Sequence, residues 1–325
     1  MTRTPPGTRL LALAGALVLL VLVAAALLAP AIAPHDPHEQ NADFPYAPPM
    51  RPHVIDDDGT WHVPFVYPLR LTDRLERRYL QDRTERLTIL AAEPGPVFLL
   101  GTDALGRDLF ARLLFGARAS LGIAFVATVG ALLIGTLVGA AAGYAGGAAD
   151  ETAMRVADFV LVLPAIYVVL ALRAVMPLVL SPAQVFAGIS IVLALVGWPM
   201  VARGVRAIVA AERRRDYAEA ARAAGAGPVR ILVVHLLPSS RGFILTQAAL
   251  LVPAFVLAEA TLSFVGFGFA EPVPSWGTML QEAGTVRAFA DFPWLLAPAV
   301  SIAIVSLAVN ITVSAIYGRS PHVQI

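Results

Sequence analysis

Leu10 to Leu28 are nineteen consecutive residues without a charge, and apolar runs of similar length return at about 119–144, 154–175, 183–201, 243–264 and 295–317. A run of about 20 apolar residues crosses the hydrocarbon of a bilayer as one helix. No water pairs the backbone there, so each segment must close its own hydrogen bonds. Six such runs predict an all-α, polytopic membrane protein with six transmembrane helices. Charge is correspondingly scarce: 14% of the 325 residues are charged, against about 25% in soluble domains. The net charge of +1 provides no field that would draw nucleic acid. No cysteine is present, which excludes disulfides, cysteine-ligated zinc and a cysteine nucleophile. All 24 basic residues are arginine, a feature we read as genomic composition bias.

The sequence divides into a tail and first span (1–34), a polar insertion (35–100) and a five-helix core (101–325). Ala31-Ile32-Ala33 resembles a signal-peptide cleavage site, but the preceding apolar run exceeds the roughly 7–15 residues of a signal core. An uncleaved anchor is therefore expected. Within the insertion, Trp61, Val63, Phe65 and Tyr67 alternate as in a short strand or hairpin. The acidic turn Asp56 to Gly59 lacks the closing Glu of a calcium loop and reads as solvated. In the core, Gly135, Gly139 and Gly143 form a small-residue face on the second span that lets another helix approach closely. Their spacing fits packing within the chain and packing on a partner equally. Pro164 is expected to kink the third span.

Between the fourth and fifth apolar runs, Arg213 to Pro238 reads RRRDYAEAARAAGAGPVRILVVHLLP. Glu212 to Ala224 is rich in helix formers, with Arg215–Glu219 and Glu219–Arg222 at helical spacing. Gly225 is placed to end that helix in a left-handed conformation, and Pro228 suits the first turn of another. Glu219-Ala220-Ala221, then Gly225, then Leu237-Pro238 resembles the EAA loop of ABC importer permeases. His235 before Leu-Leu-Pro is similar to the peptide and nickel branch of that family. GTDALGRD (Gly101 to Asp108), EATLSFVGFG (Glu259 to Gly268) and PSWG (Pro274 to Gly277) resemble further signatures of that branch. Read for themselves, Gly101 to Asp108 form a turn entering an amphipathic helix, in which Asp108 and Arg112 pair at four apart and Leu109, Leu113 and Leu114 make an apolar side. The resemblance covers about residues 8–34 and 101–319.

That resemblance implies a type I ABC importer permease fold and an inner-membrane component, the C-type permease of a pair. It implies partners as well: a second permease, two ATP-binding cassette ATPases and an extracytoplasmic substrate-binding protein. The loop at about 203–241 would couple to an ATPase, with Glu219, Ala220, Ala221, Gly225, Leu237 and Pro238 as the coupling residues. An ordinary surface helix is the alternative. Independently of the motif, twelve arginines fall on one side of the predicted spans and two on the short segments of the other. That bias places both termini and the 213–238 loop in the cytoplasm. Glu259, an acid well inside a span, is costly there and must face the bundle interior or a wet cavity. It reads either as part of the translocation path or as a bundle anchor to polar groups such as Asn310. No Walker lysine, zinc-protease or serine-hydrolase motif occurs, so no catalytic residue, cofactor or metal is expected. A secondary transporter or channel, the competing reading, would carry an inverted repeat and more intramembrane charge.

Overall fold

A computed structural model describes residues 6–56, 59–74, 76–89, 95–164, 167–168, 171 and 180–317. The helices are α1 (Pro6–Leu27), α2 (Leu109–Ala145), α3 (Gly147–Val162), α4 (Pro182–Glu212), α5 (Asp216–Ala223), α6 (Arg241–Phe264), α7 (Trp276–Ala283), α8 (Val286–Asp291) and α9 (Ala297–Tyr317). Among the described residues, five helical stretches are long and apolar enough to cross a membrane: Leu10–Leu27, Leu109–Ala145, Pro182–Glu212, Pro228–Phe264 and Pro293–Val313. The helix of the expected third span stops just short of Pro164. α3 ends at Val162, and Leu163 is extended at φ −76, ψ 115, as the residue before proline prefers. Most of the remainder of that span, to Val175, lies outside the described residues. α2 begins ten residues earlier than expected, and α4 continues eleven residues past Val201. α4 starts on a reciprocal cap in which Ser181 Oγ accepts from the Gln184 N–H at 3.3 Å and Gln184 Oε1 accepts from the Ser181 N–H at 2.9 Å.

The chain forms two compact units, one of residues 1–19, 121–259 and 305–325, the other of 20–120 and 260–304. In the first, α2 lies along α4 at backbone contact. A Cβ added at Gly139 would fall 2.3 Å from the Ala202 carbonyl oxygen; at Gly143 it would fall 2.6 Å from that of Arg206, and at Gly135 2.7 Å from that of Trp198. The small-residue face of the second span is thus spent on a helix of the same chain. Gly15 brings α1 equally close to Ala308 and Thr312 of α9. α3 is fastened to α4 by Asp150, whose Oδ1 accepts from Arg206 Nε at 2.8 Å, and by an Asp158–Arg203 ion pair.

In the second unit the insertion folds as small antiparallel sheets: β1 (His53–Ile55), β2 (Trp61–Val66) and β5 (Leu87–Thr88) in the order β1-β2-β5, and a hairpin of β3 (Leu69–Asp73) and β4 (Arg78–Gln81). Ala47, Met50, Val66, Leu69, Val97 and Phe98 form its core. The expected strand exists, but Trp61 and Val63 are exposed while Phe65, Val66 and Tyr67 are buried, so the alternation does not mark one inner face. Asp56 Oδ2 is taken by His62 Nε2 at 2.7 Å and Arg86 Nη2 at 3.0 Å, and Oδ1 accepts from the Thr60 N–H at 2.8 Å. Asp57 and Asp58 lie outside the described residues.

Candidate functional site

The segment after α4 is built from short pieces. Arg215 is extended at φ −82, ψ 148, so α5 starts at Asp216 and is shorter than the expected helix from Glu212. Neither expected Arg–Glu face forms among the described residues. The Arg222 guanidinium instead donates from Nη2 to the Arg213 carbonyl at 2.9 Å. Ala218 is fully buried in a cluster with Ala140, Val201, Val205, Val209, Ile231 and Leu236, and Ala221 packs against its edge. Glu219 and Ala220 are exposed. The alanine pair therefore splits: Ala221 seats the helix on that apolar cluster, and Ala220 stands beside Glu219 on the open face.

Gly225 closes α5 at φ +82. Its N–H donates to Arg222 O at 2.9 Å, and the Ala226 N–H donates to Ala221 O at 3.0 Å. These paired bonds satisfy carbonyls that the helix end leaves without partners, and they require a left-handed residue between them. Gly227 and Pro228 then start a new turn. Ile231–Leu236 is wound wider, as a π-helix, and Leu237–Ser240 tighter, as a 3-10 turn, before α6 begins. Pro238 has no N–H and would clash with a carbonyl four residues back, which accounts for the irregular winding. Leu237 packs on the same apolar cluster. The product is a short exposed helix of about two turns, carrying Asp216 and Glu219 in its first turn and seated on an apolar cluster that includes residues of α2 and α4. Glu259 of α6 is completely buried. Asn310, its suggested partner, is exposed and donates from Nδ2 to Ser306 O at 2.9 Å.

A second cluster escapes the sequence reading. Asp108 and Arg112 do not pair. Arg112 Nη2 donates to Glu271 Oε1 at 2.7 Å, and Nη1 lies 3.2 Å from Asp103 Oδ2. Arg107 donates from Nε to Asp103 Oδ2 at 2.5 Å and from Nη1 to Glu271 Oε2 at 2.6 Å. Asp108 Oδ2 sits 3.1 Å from His35 Nδ1, and its Oδ1 caps the Phe110 N–H at 2.9 Å. The network joins GTDALGRD to the glutamate three residues before PSWG. PSWG itself starts α7, where Ser275 Oγ accepts from the Thr278 N–H at 3.2 Å and Trp276 Nε1 donates to Leu113 O at 3.2 Å. Burial pushes the Glu271 carboxyl up, but hydrogen bonds from Arg112 and Arg107 outweigh it and hold it below the usual range. Burial and the neighbouring Asp103 carboxylate push Glu282 above its ordinary value. Its Oε1 accepts from the Ala104 N–H at 2.6 Å, and its Oε2 lies 3.9 Å from Arg107 Nη2. The partners lie about 160 positions apart, beyond the reach of any local pattern.

Residues 131–320 match the family described as binding-protein-dependent transport system inner membrane component, and residues 10–49 match the N-terminal transmembrane domain of oligopeptide transport permease C. A di/tripeptide transport system permease protein of Pseudomonas aeruginosa is 35% identical over 302 residues, covering 92% of this chain and 84% of that protein. An oligopeptide transport system permease protein of Bacillus subtilis is 38% identical over 212 residues, 65% of this chain and 67% of that one. The similarity runs through both apolar helices and signature turns, and one family model spans more than half of the chain: the chain belongs to the binding-protein-dependent inner-membrane components, the permease subunits of ABC importers.

Proposed function

We propose that this chain is one of two permease subunits of an ATP-driven importer of di- or oligopeptides. It would form half of the translocation path, and the work would come from two cytoplasmic ATPase subunits. The observation that carries the reading is the α5 turn. Its Ala218 and Ala221 side is seated on the apolar cluster formed with α2, α4 and Ile231–Leu236, and its Glu219 and Ala220 side is left open, so a partner can push on it without competing with the protein's own packing. Glu219, Ala220 and Gly225 serve that contact, with Ala221, Leu237 and Pro238 holding it in place. Nothing in the chain resembles a nucleotide-binding loop, so hydrolysis is assigned to the partners and substrate delivery to an extracytoplasmic binding protein. Peptides are favoured as cargo by the names of the relatives; nickel chelates and glutathione are the alternatives. The arginine asymmetry places both termini and the loop on the cytoplasmic side. The test is Glu219→Lys in the full complex reconstituted in vesicles. Loss of ATPase co-purification and of peptide uptake, at normal amounts of inserted chain, is expected. Unchanged uptake, or labelling of a Val229→Cys probe from outside intact cells, refutes the reading.

A further inference from the structure

Arg213 follows the last residue of α4 and uses both ends of itself. Its side chain donates from Nη1 to the carbonyl of Tyr144, in the last turn of α2. Its backbone carbonyl, at the end of α4, receives Arg222 Nη2 from α5 at 2.9 Å. Each bond places a guanidinium on a carbonyl that a helix C-terminus leaves exposed, where the aligned peptide dipoles favour positive charge. The site is shaped for the Arg213 side chain. Gly146, at φ +69, turns the chain after α2, and a Cβ there would lie 3.2 Å from Arg213 Nη1 and 3.4 Å from Nη2. Close by, Asp150 Oδ1 accepts from Arg206 Nε at 2.8 Å, so α3 is fixed to the same end of α4. α5 is also held by apolar contact through Ala218 and Ala221, and by Tyr217, whose hydroxyl donates to Glu212 Oε2 at the end of α4 at 2.6 Å. Methyl contacts of that kind are non-directional. They hold the helix on its apolar cluster but do not set its rotation, whereas directional bonds do; the Tyr217–Glu212 bond ends at α4, and the two guanidinium bonds in series continue to α2.

We propose that Arg213 is a positioning residue that transmits displacement of α5 to the end of α2 through the chain Arg222–Arg213–Tyr144. The proposal rests on the coupling reading above and adds the route by which movement of the loop reaches a membrane helix. Arg222→Gln breaks the link from the α5 side, and Arg213→Ala removes its centre.

The experiment uses the complete transporter, with both permeases, the ATPases and the binding protein, in vesicles, and measures peptide taken up per ATP hydrolysed. With Arg213→Ala the ATPases are expected to remain bound, while uptake per ATP falls about 5-fold or more, the lower bound for a coupling free energy of ordinary size. Arg213→Lys, which retains a cation with one-point bonding, should recover part of that ratio. Combining Arg213→Ala with Arg222→Gln should cost no more than the larger single loss, because both lie in one chain of contacts. A merely structural Arg213 would lower assembled complex, uptake and hydrolysis together and leave the ratio unchanged; that result overturns the proposal. If Arg213→Ala fails to assemble, the ratio in Arg213→Lys and Arg222→Gln decides: wild-type ratios in both overturn it. Normal coupling in Arg213→Ala alongside ATPase loss in Glu219→Lys refutes the relay alone, while wild-type behaviour in both refutes the coupling loop itself.

Discussion

Replacing Gly225 by valine should impair transport by a predictable amount while leaving the membrane helices intact. Gly225 holds φ +82, and a Cβ placed on it meets nothing within 4 Å. Steric overlap with neighbours therefore contributes nothing, and the cost is confined to the backbone. An L-residue in the left-handed region costs about 1–2 kcal/mol, with β-branched valine at the upper end because its side chain is stiff. The chain can escape only by opening the turn, which forfeits the Gly225–Arg222 and Ala226–Ala221 hydrogen bonds, each worth about 0.5–1.5 kcal/mol. Both routes lead to 1–2 kcal/mol or slightly more, a factor of about 5–30 in the population of correctly placed α5. Hydrolysis stimulated by loaded binding protein should fall by a comparable factor, with unchanged amounts of inserted permease. Gly225→Asn is the control, since asparagine tolerates the left-handed region better than other side chains. Valine with wild-type stimulation would refute the conformational argument. Asparagine as damaging as valine would show that bulk at a contact surface, not the backbone, is responsible.

Other expectations follow from close contacts and buried charge. Gly139→Ala puts a Cβ 2.3 Å from the Ala202 carbonyl oxygen and should cost about 1–3 kcal/mol, read as lower thermal stability of the purified permease. Gly227→Ala, with nothing within 4 Å and φ −69, should leave that stability unchanged. Because the folded Glu282 carboxyl is raised, its stabilising contribution is present below its unfolded value and fades as pH rises through the folded one; Glu282→Gln should abolish that loss and melt higher than wild type at neutral pH. Glu271 has the opposite sign, its lowered carboxyl contributing above its unfolded value and fading on acidification; Glu271→Gln should destabilise by about 1–3 kcal/mol at neutral pH, below the cost of fully buried pairs because the side chain is half exposed. Glu259→Gln should keep uptake and Glu259→Leu should lower assembled complex if this buried acid anchors the bundle; uptake lost in the glutamine variant at normal assembly would place it on the path instead.

What could be read in advance follows the range of the interaction. The Gly225 turn and the Pro228 restart are local backbone devices, so single residue types at fixed spacing announce them. Gly135, Gly139 and Gly143 announce a close approach, but the partner helix, α4, is set by tertiary packing and carries no complementary signature in sequence. The extended conformation of Arg215 has no signal in sequence, because the helix-forming composition of Glu212 to Ala224 runs straight through it; the break exists because α5 turns back to bury Ala218. The Arg107–Arg112–Glu271 network reads in sequence as a local Asp108–Arg112 pair. Four-residue spacing permits that pair, but a buried arginine takes whichever carboxylates satisfy more of its donors, and Asp103 and Glu271 offer more than Asp108, which His35 already occupies.

The coupling helix combines weak attachment with a defined orientation, and its length explains why. Eight residues are too few to hold a helix alone in water, so α5 owes its helicity to Ala218 in the apolar cluster, to the paired bonds around Gly225 and to the Arg222–Arg213 bond. None of these is shared with the hydrogen bonds that keep a membrane span helical, because each span closes its own. Damage to the loop should therefore release α5 without unfolding the spans, and the defect should appear as uptake lost from a fully inserted protein. Damage to the Gly139 seam should do the reverse, lowering the amount of folded permease and leaving the transport of each surviving complex close to normal. Measuring inserted protein and uptake on the same samples separates the two. Loop variants that disappear from the membrane would show that α5 is an integral part of the folded core.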